Sequence, residues 1–181
     1  MEMILLQTEE KMNKAIANFE HNLSQIRTGR ANPAMLDGIN VEYYGSATPL
    51  SQIAAITVPE GRQLQIKPYD PSSIEDIERA INEANLGINP QGDGESIRLN
   101  IPPLTEESRK LLVKDVSKYA EDTKVVIRNV RRDANDSIKK SKELTKDEIS
   151  QGQEDVQKLT DQMIKKVDDI GKEKEKELMT V

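Results

Sequence analysis

Ile97-Arg98-Leu99-Asn100-Ile101-Pro102-Pro103-Leu104-Thr105-Glu106-Glu107 is where this chain changes its period. The first five residues alternate apolar and polar, which predicts a half-buried strand. Two prolines then remove consecutive backbone donors and break the pattern. Thr105 is placed to cap a helix, with Glu106 and Glu107 set against the positive end of its dipole. Downstream, Leu112, Val116, Tyr119, Thr123, then either Val126 or Ile127, then Val130 and Ala134 recur at helical spacing to about Ile138. A strand-bearing unit and a long helix meet at this point, so the fold class is α+β.

The same two periods continue outward on either side. Upstream, residues 35–103 keep a period of two: Ile39, Val41 and Tyr43 alternate with polar partners, as do Leu64 and Ile66, with turn formers at Gly45, at 59–61 and at 90–94. Ser72-Ser73-Ile74-Glu75 reads as a capping box before a short helix whose stripe is Ile74, Ile77, Ile81 and Ala84. Nearer the start, Leu5, Met12, Ile16, Phe19, Leu23 and Ile26 form a helical seam expected to close at Thr28-Gly29 before Pro33. Beyond the polar run 141–146, a second capping box, Thr145-Lys146-Asp147-Glu148, opens a last helix with Ile149, Val156, Leu159, Met163, Val167 and Ile170, expected to fray over the Lys/Glu run 172–177.

Three long helices with compatible seams predict an antiparallel bundle made of residues 1–30 and 104–181, with a small β/α/β domain, residues 31–103, inserted between its first and second helices. Two segments join the parts: Arg30, Ala31, Asn32 and Pro33 on one side, and Pro102, Pro103 and Leu104 on the other. Both contain proline, which predicts a semi-rigid hinge.

Composition narrows the function. Among 181 residues there is no cysteine or tryptophan, one histidine and one phenylalanine. Thiol nucleophiles, cysteine-ligated metals and histidine pairs are excluded. Aromatic residues are only 3 % of the chain, as in helical bundles packed from aliphatic side chains. No Gly-rich phosphate loop, Gly-x-Ser-x-Gly or His-Glu-x-x-His occurs, so no enzyme and no cofactor is expected. No apolar run reaches the ~20 residues of a membrane span and the first residues do not read as a signal peptide, which predicts a cytoplasmic protein.

The net charge of −6 argues against a nucleic-acid partner until it is divided. Residues 1–30 are neutral, 31–108 carry −8, 109–142 carry +6 and 143–181 carry −4. On a helical wheel, Lys124, Arg128, Arg131 and Asn135 lie within about 60° of one another with Arg132 beside them, away from the stripe through Val116, Thr123 and Val130. Solvated charge is the ordinary meaning of such a face. Arginines clustered with too few acidic residues one turn away to neutralise them instead suit bidentate binding of RNA phosphates. Arg27 and Arg30 bracket the end of the first helix, either as capping cations or as an extension of the basic surface. His21 is expected to be a partly buried bundle residue. The alternative reading is a helical adaptor or coiled-coil oligomer, which requires seams left open for a partner.

Several stretches together resemble the bacterial-type ribosome recycling factor across essentially the whole chain: Ile26-Arg-Thr-Gly-Arg-Ala-Asn-Pro33, Val41-Glu-Tyr-Tyr-Gly45, Leu86-Gly-Ile-Asn-Pro90, Pro102-Pro-Leu-Thr-Glu-Glu107, Arg128-Asn-Val-Arg-Arg-Asp-Ala-Asn-Asp136 and Asp155-Val-Gln-Lys-Leu-Thr-Asp161. Ser108 departs from the pattern, since relatives often carry a second arginine there beside Arg109. The resemblance implies an L-shaped molecule and a monomeric factor that binds the large ribosomal subunit and its ribosomal RNA after termination. It further implies that, with elongation factor G and GTP, such a factor splits the post-termination complex. RNA contacts are implied at Arg128, Arg131 and Arg132, with Arg27, Arg30, Lys124 and Arg109 as further candidates.

Overall fold

The structure, a computed structural model, describes residues 1–180; Val181, the last residue of the expected bundle, lies outside them. In chain order the elements are α1 (Glu2–Ser24), β1 (Asn40–Tyr43), β2 (Ser46–Pro49), α2 (Leu50–Ile53), β3 (Ala54–Glu60), β4 (Gln63–Pro68), α3 (Ile74–Glu83), β5 (Gln91–Gly92), β6 (Ile97–Asn100), α4 (Glu106–Lys140) and α5 (Lys146–Thr180). Short 3-10 turns cover Pro33–Leu36 and Pro71–Ser73. The chain divides into two units: Met1–Ile26 with Glu106–Thr180, and Arg27–Thr105.

The first unit is a bundle of α1, α4 and α5. Met12, Ile16, Phe19 and Leu23 of α1 are buried, facing Val116, Ile127 and Ile138 of α4 and Val156, Met163, Val167 and Leu178 of α5. These seams are closed within the chain, contrary to the oligomer alternative. Of the two candidates left open at the fifth stripe position, Ile127 is fully buried and Val126 is 47 % exposed. Three threonines sit in the buried seam because each hydroxyl donates to the carbonyl one turn back: Thr8 to Ile4 (2.6 Å), Thr123 to Tyr119 (2.8 Å) and Thr160 to Val156 (2.7 Å).

Two helix ends differ from the sequence expectation. Helix α1 stops at Ser24, with Gln25 as a right-handed cap, so Gly29 (φ 79°) turns the chain beyond the helix instead of closing it. Helix α5 does not fray over its Lys/Glu run, because the following Leu178 is fully buried and holds the last turns. The Thr145 box forms as expected: the Thr145 backbone N–H donates to Glu148 Oε2 (2.8 Å), and the Glu148 N–H donates to Thr145 Oγ1 (3.3 Å). His21 is exposed instead of partly buried.

The second unit holds a hairpin, β1-β2, and an antiparallel sheet ordered β3-β4-β6-β5. Strands β1, β4 and β6 are those whose alternation is plain in the sequence; Val41, Leu64, Ile66, Ile97 and Leu99 are all fully buried. Strand β3 is hidden in the sequence because it lies at the sheet edge, with four exposed residues at its end and Pro59 inside it, a position tolerated only at an edge or bulge. Helix α3 packs Ile74, Ile77 and Ile81 into the same core. Its start is organised by Asp70, not by the expected Ser72 box. The Asp70 carboxylate accepts from the Ser72 N–H (3.0 Å) and hydroxyl (2.7 Å), while Ser73, the N-cap, makes no side-chain cap bond.

Candidate nucleic-acid interface

Helix α4 carries five of the seven candidate residues on one rigid element of 35 residues, roughly 50 Å long. Its burial pattern places the core along Val116, Thr123, Ile127, Ala134 and Ile138. Arg132 falls on the opposite side and is exposed. Arg128 and Arg131 are partly covered at the flank. Among the described residues, none of these three arginines forms an ion pair. That leaves three guanidinium charges within two turns of helix uncompensated, the arrangement that favours polyanion binding.

Lys124 differs from its expected place. Burial of Ile127 turns the core face towards the Lys124 stripe, so this residue lines the boundary with α5 instead of projecting away from the bundle. Its Nζ lies 2.5 Å from Asp168 and 3.5 Å from Glu121, and its side chain is 15 % exposed. The Asp168 carboxylate raises the Lys124 pKa above the ordinary lysine value against the opposing effect of burial. Arg131 is on the same stripe, but meets a neutral group: its Nη1 donates to Gln157 Oε1 at a long 3.4 Å, and its buried Nε has no acceptor. Arg109, near the start of α4, also has a buried Nε without a partner. It stands about 28 Å along the helix from Arg128, too far to share one phosphate.

Arg27 and Arg30 fall in the second unit, and both are exposed. An Arg27 nitrogen passes close to Gly87, within 3.7 Å of where a β-carbon would stand. Neither arginine caps α1, which ends before them. Of the expected hinge residues, Asn32 caps the Pro33–Leu36 turn by accepting from the Ala34 N–H (3.0 Å). The Ala31 N–H donates to the Gly61 carbonyl and the Ile101 N–H to the Arg62 carbonyl, each at 2.8 Å. Ala31 in the first connecting segment and Ile101, the residue just before the second, are thus tied to one turn, between β3 and β4.

No enzyme-like constellation emerges among the described residues. A recess of about 360 Å³ in the second unit is lined by Glu42, Asp76, Arg79 and Glu83 with small neighbours, and holds no nucleophile paired to a base. The carboxyls whose pKa is depressed each organise local structure. Asp70 is held down by the Ser72 hydroxyl and N–H, Asp93 by the N–H groups of Ser96 and Glu95, and Glu148 by the Thr145 N–H. Sequence reading missed the Asp70 cluster, in which the Tyr44 hydroxyl also donates to Asp70 (3.2 Å) and has its own pKa raised by that bond. No group of side chains among the described residues is arranged to hold a metal ion, and no described helix is long and apolar enough to cross a membrane.

Comparison with known proteins adds an independent line. A family model described as ribosome recycling factor matches residues 19–179. Proteins named ribosome-recycling factor from Bacillus licheniformis and Bacillus subtilis are 55 % and 56 % identical, each alignment covering 98 % of both chains. A solution structure of the ribosome recycling factor is 40 % identical and superposes with a TM-score of 0.81 over 99 % of this chain and 97 % of its own. A second solved structure, 45 % identical with a TM-score of 0.65 over 98 % of this chain and 97 % of its own, models the Thermus thermophilus factor and Escherichia coli elongation factor G on the E. coli post-termination complex.

Proposed function

The chain belongs to the ribosome recycling factor family, and from that premise we propose how its own residues serve recycling of the ribosome after termination. It is a translation factor that acts by shape and charge, with no catalytic residue and no bound cofactor, in the cytoplasm where its partner ribosomes are. The observation that carries the reading is the uncompensated group Arg128, Arg131 and Arg132 on the α4 rod. These arginines anchor the bundle on ribosomal RNA phosphates of the large subunit. Arg27, Arg30 and Arg109 are further contacts; Lys124 contributes less, because Asp168 already compensates it.

Elongation factor G with GTP then drives the small unit, and the two proline-containing segments, Arg30 to Pro33 and Pro102 to Leu104, transmit that movement into separation of the subunits. Anchoring of Ala31, and of Ile101 just before Pro102, at the β3-β4 turn supports this, since a push on the small unit reaches the start of each connection at one point. The test is sedimentation with purified large subunits over a range of salt, with and without elongation factor G. Arg131→Ala is expected to weaken binding by about 1–3 kcal/mol and to make the salt dependence shallower while the bundle stays folded. Equal affinity of Arg131→Ala and wild type at every salt concentration removes Arg131 from the interface. Replacing Pro102 and Pro103 by glycine is expected to leave binding intact and lower splitting; normal splitting refutes the hinge.

A further inference from the structure

The α4-α5 boundary follows an antiparallel heptad register. Ser117 donates to Glu175 Oε1 at 3.2 Å, and one heptad along, Lys124 lies 2.5 Å from Asp168. Continuing that register by another heptad sets Arg131 opposite Asp161. An ion pair is what the pattern leads to, yet none forms there among the described residues. Gln157, one turn before Asp161 on α5, stands between the two. Its Nε2 donates to Asp161 Oδ1 at 2.9 Å, and its Oε1 accepts from Arg131 Nη1 at 3.4 Å. Arginine only donates and an ionised carboxylate only accepts, so the amide has one orientation that satisfies both neighbours.

We infer that Gln157 is a positioning residue that insulates Arg131 from Asp161, holding the guanidinium in place while keeping its charge free for an RNA phosphate. A neutral acceptor orients the arginine without cancelling it, whereas a carboxylate at the same distance would do to Arg131 what Asp168 does to Lys124. Engagement of the Asp161 oxygen by the amide also lowers the attraction between that carboxylate and the arginine. The weak 3.4 Å bond is easily exchanged for a shorter, charge-assisted one to phosphate. The inference rests on the reading that Arg131 meets RNA, and it assigns a role to a residue on a different helix that acts through Arg131.

The experiment uses the full chain and purified large subunits, reading affinity and its salt slope by sedimentation for Arg131→Ala, Gln157→Ala and the double variant Gln157→Ala/Asp161→Asn. Gln157→Ala releases Asp161 to pair with Arg131, so affinity is expected to fall about tenfold and the slope by about one counterion, approaching Arg131→Ala. The double variant removes the competing charge and is expected to recover both quantities. Plain loss of packing predicts the reverse, since the double variant has lost more of the network. If Arg131→Ala weakens binding but Gln157→Ala does not, or if the double variant fails to recover, the insulating role is overturned and the RNA contact stands. If Arg131→Ala itself binds like wild type, the RNA contact is wrong and the insulating role falls with it.

Discussion

Gly171 lies buried in the interior of α5, and a β-carbon built there would meet Phe19 Cζ and Ala120 Cβ at 4.0 Å each, ordinary van der Waals contact. Gly171→Ala is therefore expected to stabilise the bundle. Replacing glycine by alanine inside a helix gains about 0.8–1.0 kcal/mol, largely by restricting the unfolded chain. The added methyl is removed from water between the one phenylalanine and α4, worth up to ~0.8 kcal/mol. A net of about 1.5 kcal/mol corresponds to a rise of about 3–6 °C in the melting midpoint of a chain this long. Gly152 supplies the internal control. The same substitution gains the same propensity there, but its β-carbon would press on the Met1 thioether (Sδ at 2.7 Å) and approach Ile138 Cδ1 at 3.3 Å. Gly152→Ala should therefore gain less than half as much. The assay is thermal and denaturant unfolding followed by the helical circular dichroism signal, which reports chiefly on the bundle. A neutral or destabilising Gly171→Ala, or a Gly152→Ala that stabilises equally, would refute the packing argument.

Three further outcomes follow from the ionisable groups. A double-mutant cycle of Lys124→Met and Asp168→Asn should give a coupling of about 1 kcal/mol at low salt, diminished in high salt, by denaturant unfolding. Because the folded Lys124 pKa is raised, this contribution is complete below the unfolded lysine value of about 10.4 and is lost as pH climbs through the folded one; a coupling that persists above that range contradicts it. Thr145→Ala should cost about 1 kcal/mol of bundle stability. Glu148 has a depressed pKa, so its share of the box is complete above about pH 4.3 and lost as pH falls through the folded value; the difference between wild type and Glu148→Gln in acid unfolding should shrink over that window, and a constant difference counts against the box. Asp70→Ala should lower the pKa of Tyr44 towards the ordinary phenol value, read by phenolate absorbance, since hydrogen bonding to the Asp70 carboxylate is the leading cause of its elevation.

The same residues show what each level of description could decide. Strict alternation at Ile97, Leu99 and Ile101, the proline pair, and the long helical repeats were sufficient by themselves to divide the chain into helical and strand-bearing parts, because burial of one face imposes a period that survives any arrangement of neighbours. The arginine group was equally legible, since an excess of guanidinium charges over carboxylates at helical spacing is a local property. Strand β3 was not, because an edge strand needs little burial and tolerates Pro59. Nor were the ends of α1 and α5, which depend on what the last turns pack against. The decisive tertiary choice was between Val126 and Ile127. These neighbours differ by about 100° around the helix, and burial of Ile127 turned Lys124 and Arg131 from an outward face to the α5 boundary. Sequence alone therefore determined which cations α4 carries. Only packing against α5 decided that Asp168 compensates Lys124 while Gln157 leaves Arg131 charged, because the partners lie on another helix and a pairing register is a property of two surfaces together.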